Sequence, residues 1–243
     1  MKLFNNALWT ALALVPALGF TALPNTFETS IPVEHVYSPA GFDTNDNAEI
    51  AITGYLPNLC YKAPKSVVTV KNGKIAVAMK ATRKDNGLAF CVNIKIPYVE
   101  YVNIGVLDKG PYVVAVNEST QWEKFSNLNI IESRNNASEE IVYANVDKVV
   151  RADDDSRKVL LQGYNPSDCF ELKEIVIKDN GTDTYSILPT MKQVRTHCPK
   201  KMIPFTYEFE VPQNLEADKV LLHVRVMDGR SVNTFFNNKP LFE

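Results

Sequence analysis

Gly54-Tyr55-Leu56-Pro57-Asn58-Leu59-Cys60 recurs further along the chain as Gly163-Tyr164-Asn165-Pro166-Ser167-Asp168-Cys169. Both stretches begin with Gly-Tyr, have proline at the fourth position and end in cysteine, and the two cysteines are 109 positions apart. That distance is close to the usual size of a domain. The repeat therefore indicates that the chain contains two copies of one unit.

The N-terminus has the pattern of a cleaved secretory signal. Lys2 is followed by an apolar stretch from Ala7 to Leu18 and then by small residues. We predict a signal peptide over residues 1–22, with cleavage near Gly19 or Ala22. The alternative, a membrane anchor, needs roughly 20 apolar residues, and this stretch is shorter and is followed by polar chain. We expect a secreted or periplasmic protein without a transmembrane segment.

The four cysteines are interpreted as disulfides because export exposes them to an oxidising compartment. Four cysteines allow three pairings, and the duplication favours one pair within each copy. Cys60 would pair with Cys91, 31 positions on, and Cys169 with Cys198, 29 positions on. The competing interpretation is a four-cysteine zinc site, which needs short clusters such as Cys-x-x-Cys, and the sequence has none. We predict one disulfide in each copy.

Composition is typical of a globular protein, with 45% apolar and 22% charged residues. Removal of the signal leaves about 220 residues, enough for two domains with separate cores. The formal net charge is −2 and the pI about 6.0. This balance gives no electrostatic footprint for nucleic acid or for an anionic membrane.

Short alternating stretches and turn residues predict strands throughout the chain. Val67 to Lys71 and Lys74 to Met79 alternate about Asn72-Gly73, and Asn-Gly between such stretches is the strongest short-range hairpin signal. In the second copy, Ile175 to Lys178 precedes Asp179-Asn180-Gly181. No helical period is sustained, and about seven or eight short strands per 100 residues favour a β-sandwich.

We predict an all-β protein of two tandem immunoglobulin-like β-sandwich domains with one disulfide each. The first domain is predicted over residues 23–127, a linker over 128–139 and the second domain over 140–243. The polar centre of the linker suits an exposed connection, while Leu128 and Ile130 indicate that part of it packs. The buried tryptophan of antibody domains is missing from both copies.

Further motifs follow the second cysteine of each copy. They are Ile96-Pro97-Tyr98 with Gly110 to Asn117 in the first copy, and Ile203-Pro204-Phe205 in the second. With them, each copy resembles a disulfide-containing module of exported bacterial proteins and lipoproteins, often found in tandem and sharing no known activity. The second copy departs from the pattern at Asn165 and at Asp218-Lys219-Val220. The resemblance implies a fold and an export route, without a mechanism.

Few residues point to catalysis. The three histidines, His35, His197 and His223, lie outside the His-Glu-x-x-His and Gly-x-Ser-x-Gly patterns, and we predict each to be a surface or strand-edge residue. Paired carboxylates of a glycosidase can come from any two strands, and nothing selects a pair. We expect no enzyme.

An acidic loop in the first copy is a candidate calcium site, because it places oxygen ligands at alternate positions. The candidate ligands are Asp43, Asn45, Asn47 and Glu49. The second copy has a comparable acidic stretch over residues 152–156. The loop lacks the glycine of an EF-hand, since Ala48 occupies that position. The alternative is a solvated turn, where Asp and Asn tolerate tight backbone.

Trp122 is the only tryptophan after the predicted signal peptide. We expect it on the last strand of the first copy, partly buried near the inter-domain junction. The alternative is an exposed binding residue.

Duplication without a catalytic cluster predicts a non-catalytic binding or interaction protein. Exposed loops and sheet edges of tandem sandwiches recognise partners, and we expect a protein or glycan of the envelope or its surroundings. No nucleic-acid partner is expected, and no cofactor apart from the candidate calcium. The alternative is a structural or accessory spacer in a periplasmic or surface assembly.

Overall fold

The computed structural model describes residues 25–85, 91–133, 142–153 and 156–238. The predicted signal peptide and the second half of the predicted linker lie outside these residues. The described chain consists of strands, connecting segments and one 3₁₀ turn, Met227–Gly229. Within it, no helix is long and apolar enough to cross a membrane. The predicted all-β class is confirmed.

The first sandwich packs a three-stranded sheet on a six-stranded sheet. The three-stranded sheet contains β2 (Val33–Tyr37), β4 (Ala48–Leu56) and β7 (Ile96–Gly105). The six-stranded sheet contains β1 (Asn25–Ser30), β3 (Phe42–Asp43), β5 (Tyr61–Lys71), β6 (Lys74–Asp85), β8 (Gly110–Val116) and β9 (Lys124–Ile131). Alternate apolar side chains of both sheets meet in one core.

The second sandwich packs a three-stranded sheet on a four-stranded sheet. The three-stranded sheet contains β10 (Val146–Arg151), β11 (Lys158–Asn165) and β14 (Ile203–Glu210). The four-stranded sheet contains β12 (Phe170–Asp179), β13 (Thr184–Gln193), β15 (Lys219–Val226) and β16 (Arg230–Asn237). It has a core of its own.

The two sandwiches have the same strand order. β2-β4-β7 corresponds to β10-β11-β14, and β5-β6-β8-β9 corresponds to β12-β13-β15-β16. The inner pairs β6–β8 and β13–β15 are parallel, whereas both sheets of an immunoglobulin domain are antiparallel. They are parallel because the intervening strand, β7 or β14, lies in the opposite sheet and returns the chain to its starting end.

The N-terminal segment of each copy crosses from one sheet to the other. β1 pairs with β6 before β2 pairs with β4, and Tyr143 bridges Thr190 of β13 before β10 pairs with β11. Asn117 closes the crossing in the first copy. Its Oδ1 accepts a hydrogen bond from the Met79 amide at 2.8 Å, and its Nδ2 donates to the Ile31 carbonyl at 2.9 Å. The buried side-chain amide thus supplies hydrogen bonds where the strand ladder is interrupted.

The glycines that begin the repeated heptapeptide are sites of close backbone approach. A Cβ at Gly54 would overlap the Pro32 carbonyl oxygen and lie 2.6 Å from the Tyr98 hydroxyl. A Cβ at Gly163 would overlap the Asn145 carbonyl oxygen and lie 2.9 Å from the Phe205 ring. Since Tyr98 and Phe205 belong to the two Ile-Pro-aromatic steps, the heptapeptide and that step are parts of one packing motif.

Both predicted disulfides are present, Cys60–Cys91 and Cys169–Cys198. In each copy the bond joins the residue before a strand of the larger sheet to the segment before a strand of the smaller one. It therefore ties the two sheets together.

The first sandwich extends past residue 127, where the first domain was expected to end. β9 continues to Ile131, and Leu128 and Ile130 are buried in the core. The alternation of these apolar residues with asparagines makes the start of the predicted linker a strand.

Candidate binding groove at the junction of the two sandwiches

One strand of the second sandwich is buried on both faces. The side chains of β15 that belong to its own core are Val220, Leu222, Val224 and Val226. Leu221, His223 and Arg225 alternate with them, point the opposite way and are also buried. The first sandwich covers this outer face.

The centre of the junction is apolar. Tyr37 of β2 and Ala51 of β4 pack against Leu221 of β15 and Phe235 of β16. The rings of Tyr37 and Phe235 meet edge to face, with centroids 5.2 Å apart, a favourable geometry for aromatic pairs. Polar contacts flank this centre on both sides.

On one flank, Asp183 accepts three hydrogen bonds. His35 Nε2 of the first sandwich lies 2.6 Å from Asp183 Oδ2, while Asn180 and Thr184 bond Oδ1. Burial acts to raise the pKa of Asp183, and the hydrogen bonds from His35, Asn180 and Thr184 outweigh it and lower the pKa. Asn180 Nδ2 also donates to the Ser38 carbonyl at 3.1 Å, so the β12–β13 turn is fixed to the first sandwich.

On the other flank, Glu49 of β4 accepts hydrogen bonds from β16. Ser231 Oγ donates to Glu49 Oε1 at 2.7 Å and Asn233 Nδ2 donates to it at 2.6 Å. His223 Nδ1 lies 2.8 Å from Asn233 Oδ1. Complete burial, reinforced by Arg225, lowers the pKa of His223 to about 3. His223 is therefore a neutral imidazole at physiological pH.

Arg225 is a buried cation, with 5% of its surface exposed. Its Nη1 donates to Asp46 Oδ2 at 2.7 Å, and its guanidinium carbon lies 4.3 Å from the centroid of the Phe42 ring. Its Nε and Nη2 have no hydrogen-bond partner among the described residues. Burial raises the pKa of Asp46 in spite of Arg225. The pair is thus held in a poorly solvated site.

A groove of about 880 Å³ opens above this pair, between the two sandwiches. Its lining includes Phe42, Tyr143 and Arg225, and also side-chain amides and carboxylates from both sandwiches, here termed the rim. The rim residues are Asp43, Asn45, Asn47, Asn103 and Asp228. Ligand sites are frequently found at domain junctions, and this groove has polar groups converging from both domains.

The β15–β16 turn shapes one wall of the groove. Asp228 and Gly229 have φ values of 63° and 65°. These values lie in the left-handed region, which residues other than glycine rarely adopt. An ideal Cβ at Gly229 would lie 3.2 Å from Asn47 Nδ2. The turn therefore brings the second sandwich into contact with the acidic loop of the first.

The four candidate calcium ligands line this groove, and three of them, Asp43, Asn45 and Glu49, have hydrogen-bond partners in the structure. Asp43 Oδ1 accepts a hydrogen bond from the Asn45 amide at 2.9 Å, and Glu49 is bonded by Ser231 and Asn233. Among the residues described, no group of three or more His, Cys, Asp or Glu side chains could hold a metal ion. Because two of the four candidate ligands are asparagines, this result does not test the calcium site, which stays a prediction. The acidic stretch of the second copy lies partly outside the described residues.

Trp122 lies in the turn before β9 rather than on the strand, and it is half-buried. Its backbone amide donates to Thr120 Oγ1 at 3.1 Å. The opposite end of β9, at Ile131, pairs with Asp43 of the junction. Trp122 is therefore separated from the groove by the length of a strand.

The prediction of a surface or strand-edge histidine is confirmed for His197, which is exposed, and for His35, which is half-exposed beside Asp183. It is wrong for His223, which is 2% exposed. Neither Arg225 nor Asp46 was predicted as a site residue from the sequence. One feature of the sequence indicates this burial. The apolar residue Leu221 lies on the same face of β15 as His223 and Arg225, as expected for a strand covered on both sides.

The fold and the groove together define a two-domain, disulfide-bonded β-sandwich protein with a polar cleft at the domain junction. The family model of the ORF11 beta-sandwich domain matches residues 50–126. This match spans the first sandwich from β4 to the start of β9 and supports the sandwich assignment. Searches of curated proteins and of solved structures gave no significant match.

Proposed function

We propose that this protein is an exported, non-catalytic binding protein of the bacterial envelope or the extracellular space, and that the groove between its sandwiches is the binding site. The observation that carries the proposal is the convergence of polar side chains from both sandwiches on one groove of about 880 Å³. Export is supported by the two disulfides, which persist in oxidising compartments, and by the signal-like N-terminus.

The state of the titratable groups favours binding over catalysis. A general base works best with a pKa near the operating pH, whereas burial lowers the pKa of His223 to about 3. Asp46 is paired with Arg225, and Glu49 accepts two hydrogen bonds. These groups hold the two domains together, which leaves the rim to contact a ligand.

The rim favours a hydroxyl-rich ligand, so an envelope glycan is the first candidate and a protein segment the second. Sugar hydroxyls both donate and accept hydrogen bonds. The side-chain amides of Asn47 and Asn103 can do the same, and the carboxylate of Asp228 accepts.

The proposal is tested by screening the exported chain, residues 23–243, against a glycan array and against solubilised envelope proteins. Asn47→Trp places a large ring at the mouth of the groove, where Asn47 is exposed. Asn127→Trp is the matched control, because Asn127 is exposed on β9 away from the groove. We expect retention that Asn47→Trp removes and Asn127→Trp leaves intact. Retention that is absent, or equal in both variants, contradicts the groove as the binding site.

A spacer is the second candidate, favoured by the number of side-chain bonds across the junction. His35–Asp183, Arg225–Asp46 and Ser231–Glu49 all join the two sandwiches. A spacer needs a fixed angle and no ligand. If small-angle scattering shows one rigid shape and no ligand is retained, the spacer function replaces the binding function.

A further inference from the structure

The end of β13 and the segment that connects it to β14 carry the densest positive charge in the second sandwich. Residues 192–202, here termed the basic loop, contain four cations and no acid: Lys192, Arg195, Lys200 and Lys201. Every residue of this loop except Cys198 is exposed. The net charge of −2 for the whole chain conceals this local excess.

Two of the four charges are neutralised by neighbours. Lys192 pairs with Glu171 at 3.6 Å and Arg195 pairs with Asp168 at 2.8 Å. Lys200 and Lys201 have no ion-pair partner in the described part of the chain. The surplus of two charges therefore lies at the C-terminal end of the basic loop.

Apolar side chains are exposed in the same loop. Met202, directly after the two lysines, is 70% exposed and is the most exposed large hydrophobic side chain among the described residues; Val194 is also exposed. The backbone at both ends of the loop is fixed. The Val194 amide donates to the Cys169 carbonyl at 2.7 Å, and the Lys201 amide donates to the Pro166 carbonyl at 3.0 Å. With the Cys169–Cys198 disulfide, these bonds hold Met202 at the surface.

The equivalent place in the first sandwich has the same character. Leu59, Val92 and Ile94 are exposed beside the Cys60–Cys91 disulfide, with Ile94 at 55%, and Lys62 and Lys95 are exposed near them. Apolar and basic side chains thus recur together at the disulfide end of both sandwiches.

We propose that the basic loop docks the protein on anionic lipid bilayers, with Lys200 and Lys201 at the headgroups and Met202 at the boundary of the acyl chains. Basic residues gain energy near an anionic leaflet, and an adjacent apolar side chain gains energy by insertion. A soluble polyanion would bind the lysines and leave Met202 exposed to water. Because only two charges are unpaired, the association is weak and reversible.

The test is co-sedimentation of the disulfide-bonded chain, residues 23–243, with vesicles of phosphatidylglycerol and phosphatidylcholine or of phosphatidylcholine alone. We expect about tenfold tighter partitioning to the anionic vesicles at low salt, lost at high salt. K200E/K201E should lower partitioning at least about tenfold. K71E/K148E makes the same change in net charge at exposed positions of β5 and β10 and should leave partitioning within about twofold of wild type.

M202S distinguishes binding to a bilayer from binding to a soluble polyanion. It should lower partitioning to anionic vesicles about fivefold and leave retention on dextran sulfate unchanged. Three results overturn the proposal: equal partitioning to both vesicles, equal losses in K200E/K201E and K71E/K148E, or no effect of M202S. Circular dichroism of each variant excludes misfolding as the cause of a loss. Ligand retention in the groove should be unaffected by these variants, so the two proposals fail separately.

Discussion

Arg225 of the second sandwich donates from Nη1 to Asp46 Oδ2 of the first at 2.7 Å, and both side chains are mostly buried. The pair joins positions 179 residues apart in the sequence. Loss of one partner leaves the other as a buried uncompensated charge, which is costly. The junction is thus the part of the molecule most sensitive to single substitutions of charge.

Asp46→Ala should lower the free energy of unfolding by about 3 kcal/mol, because Arg225 then loses its counter-charge. The double variant Asp46→Leu/Arg225→Met should be within about 1 kcal/mol of wild type, since it removes both charges and keeps the volume. Urea denaturation measures both. Equal destabilisation of the single and double variants contradicts a charge-based explanation.

Stability should fall on acidification because of His223. Its pKa is lowered from 6.5 in the unfolded chain to about 3 in the folded protein, so the unfolded state binds more protons between these values. Stability is therefore fully present above pH 6.5 and is lost as pH falls toward 3, by about 1.4 kcal/mol per pH unit. His223→Asn should flatten the dependence in urea titrations across this range, while His197→Asn at an exposed site should not.

Gly54→Ala should cost about 3 kcal/mol, because the new methyl group overlaps the Pro32 carbonyl. Gly163→Ala should cost a similar amount through Asn145. Gly181→Ala is the comparison: it has a φ of 77° and no atom within 4 Å of the new Cβ, so only backbone strain of about 1 kcal/mol applies. If all three variants lose the same stability, close approach does not explain the motif.

Removal of Cys60–Cys91 should destabilise the first sandwich by roughly 3.5 kcal/mol, the value expected for closing a loop of this length in the chain-entropy account. Trp122 fluorescence reports on this sandwich, because Trp122 is the only tryptophan after residue 22. Cys60→Ala/Cys91→Ala should shift the fluorescence-detected transition directly. Cys169→Ala/Cys198→Ala removes the other disulfide and should shift this transition only indirectly, through the contacts at the junction.

Calcium should not be retained. Glu49, one of the four candidate ligands, already accepts hydrogen bonds from Ser231 and Asn233, and binding would have to break these contacts. Metal analysis after dialysis should give no calcium above the buffer. Stoichiometric calcium would contradict this expectation and support the site predicted at Asp43, Asn45, Asn47 and Glu49.

The sandwiches were predictable from sequence because their determinants are local. The Asn72-Gly73 hairpin, the repeated heptapeptide and the spacing of the cysteines each describe neighbouring parts of one copy. The parallel β6–β8 pair was not predictable in this way, because alternation within a strand does not specify its neighbour in the sheet.

The groove was not predictable, because it depends on which outer face of a sheet the other copy covers. Val113 on the outer face of β8 is exposed, whereas Arg225 on the outer face of β15 is buried. Hydrophobicity alone would assign these two residues the other way round. Only the packing of the first sandwich on β15 explains the burial of Arg225 and His223.

The coverage of β15 also limits how this chain could be divided. A separated second sandwich would expose Leu221 together with His223 and Arg225, which are buried in the junction. A separated first sandwich would expose Tyr37 and Ala51. Each sandwich therefore requires the other to cover its face at the junction. Genetic excision of either half should yield an aggregating fragment rather than a reusable module.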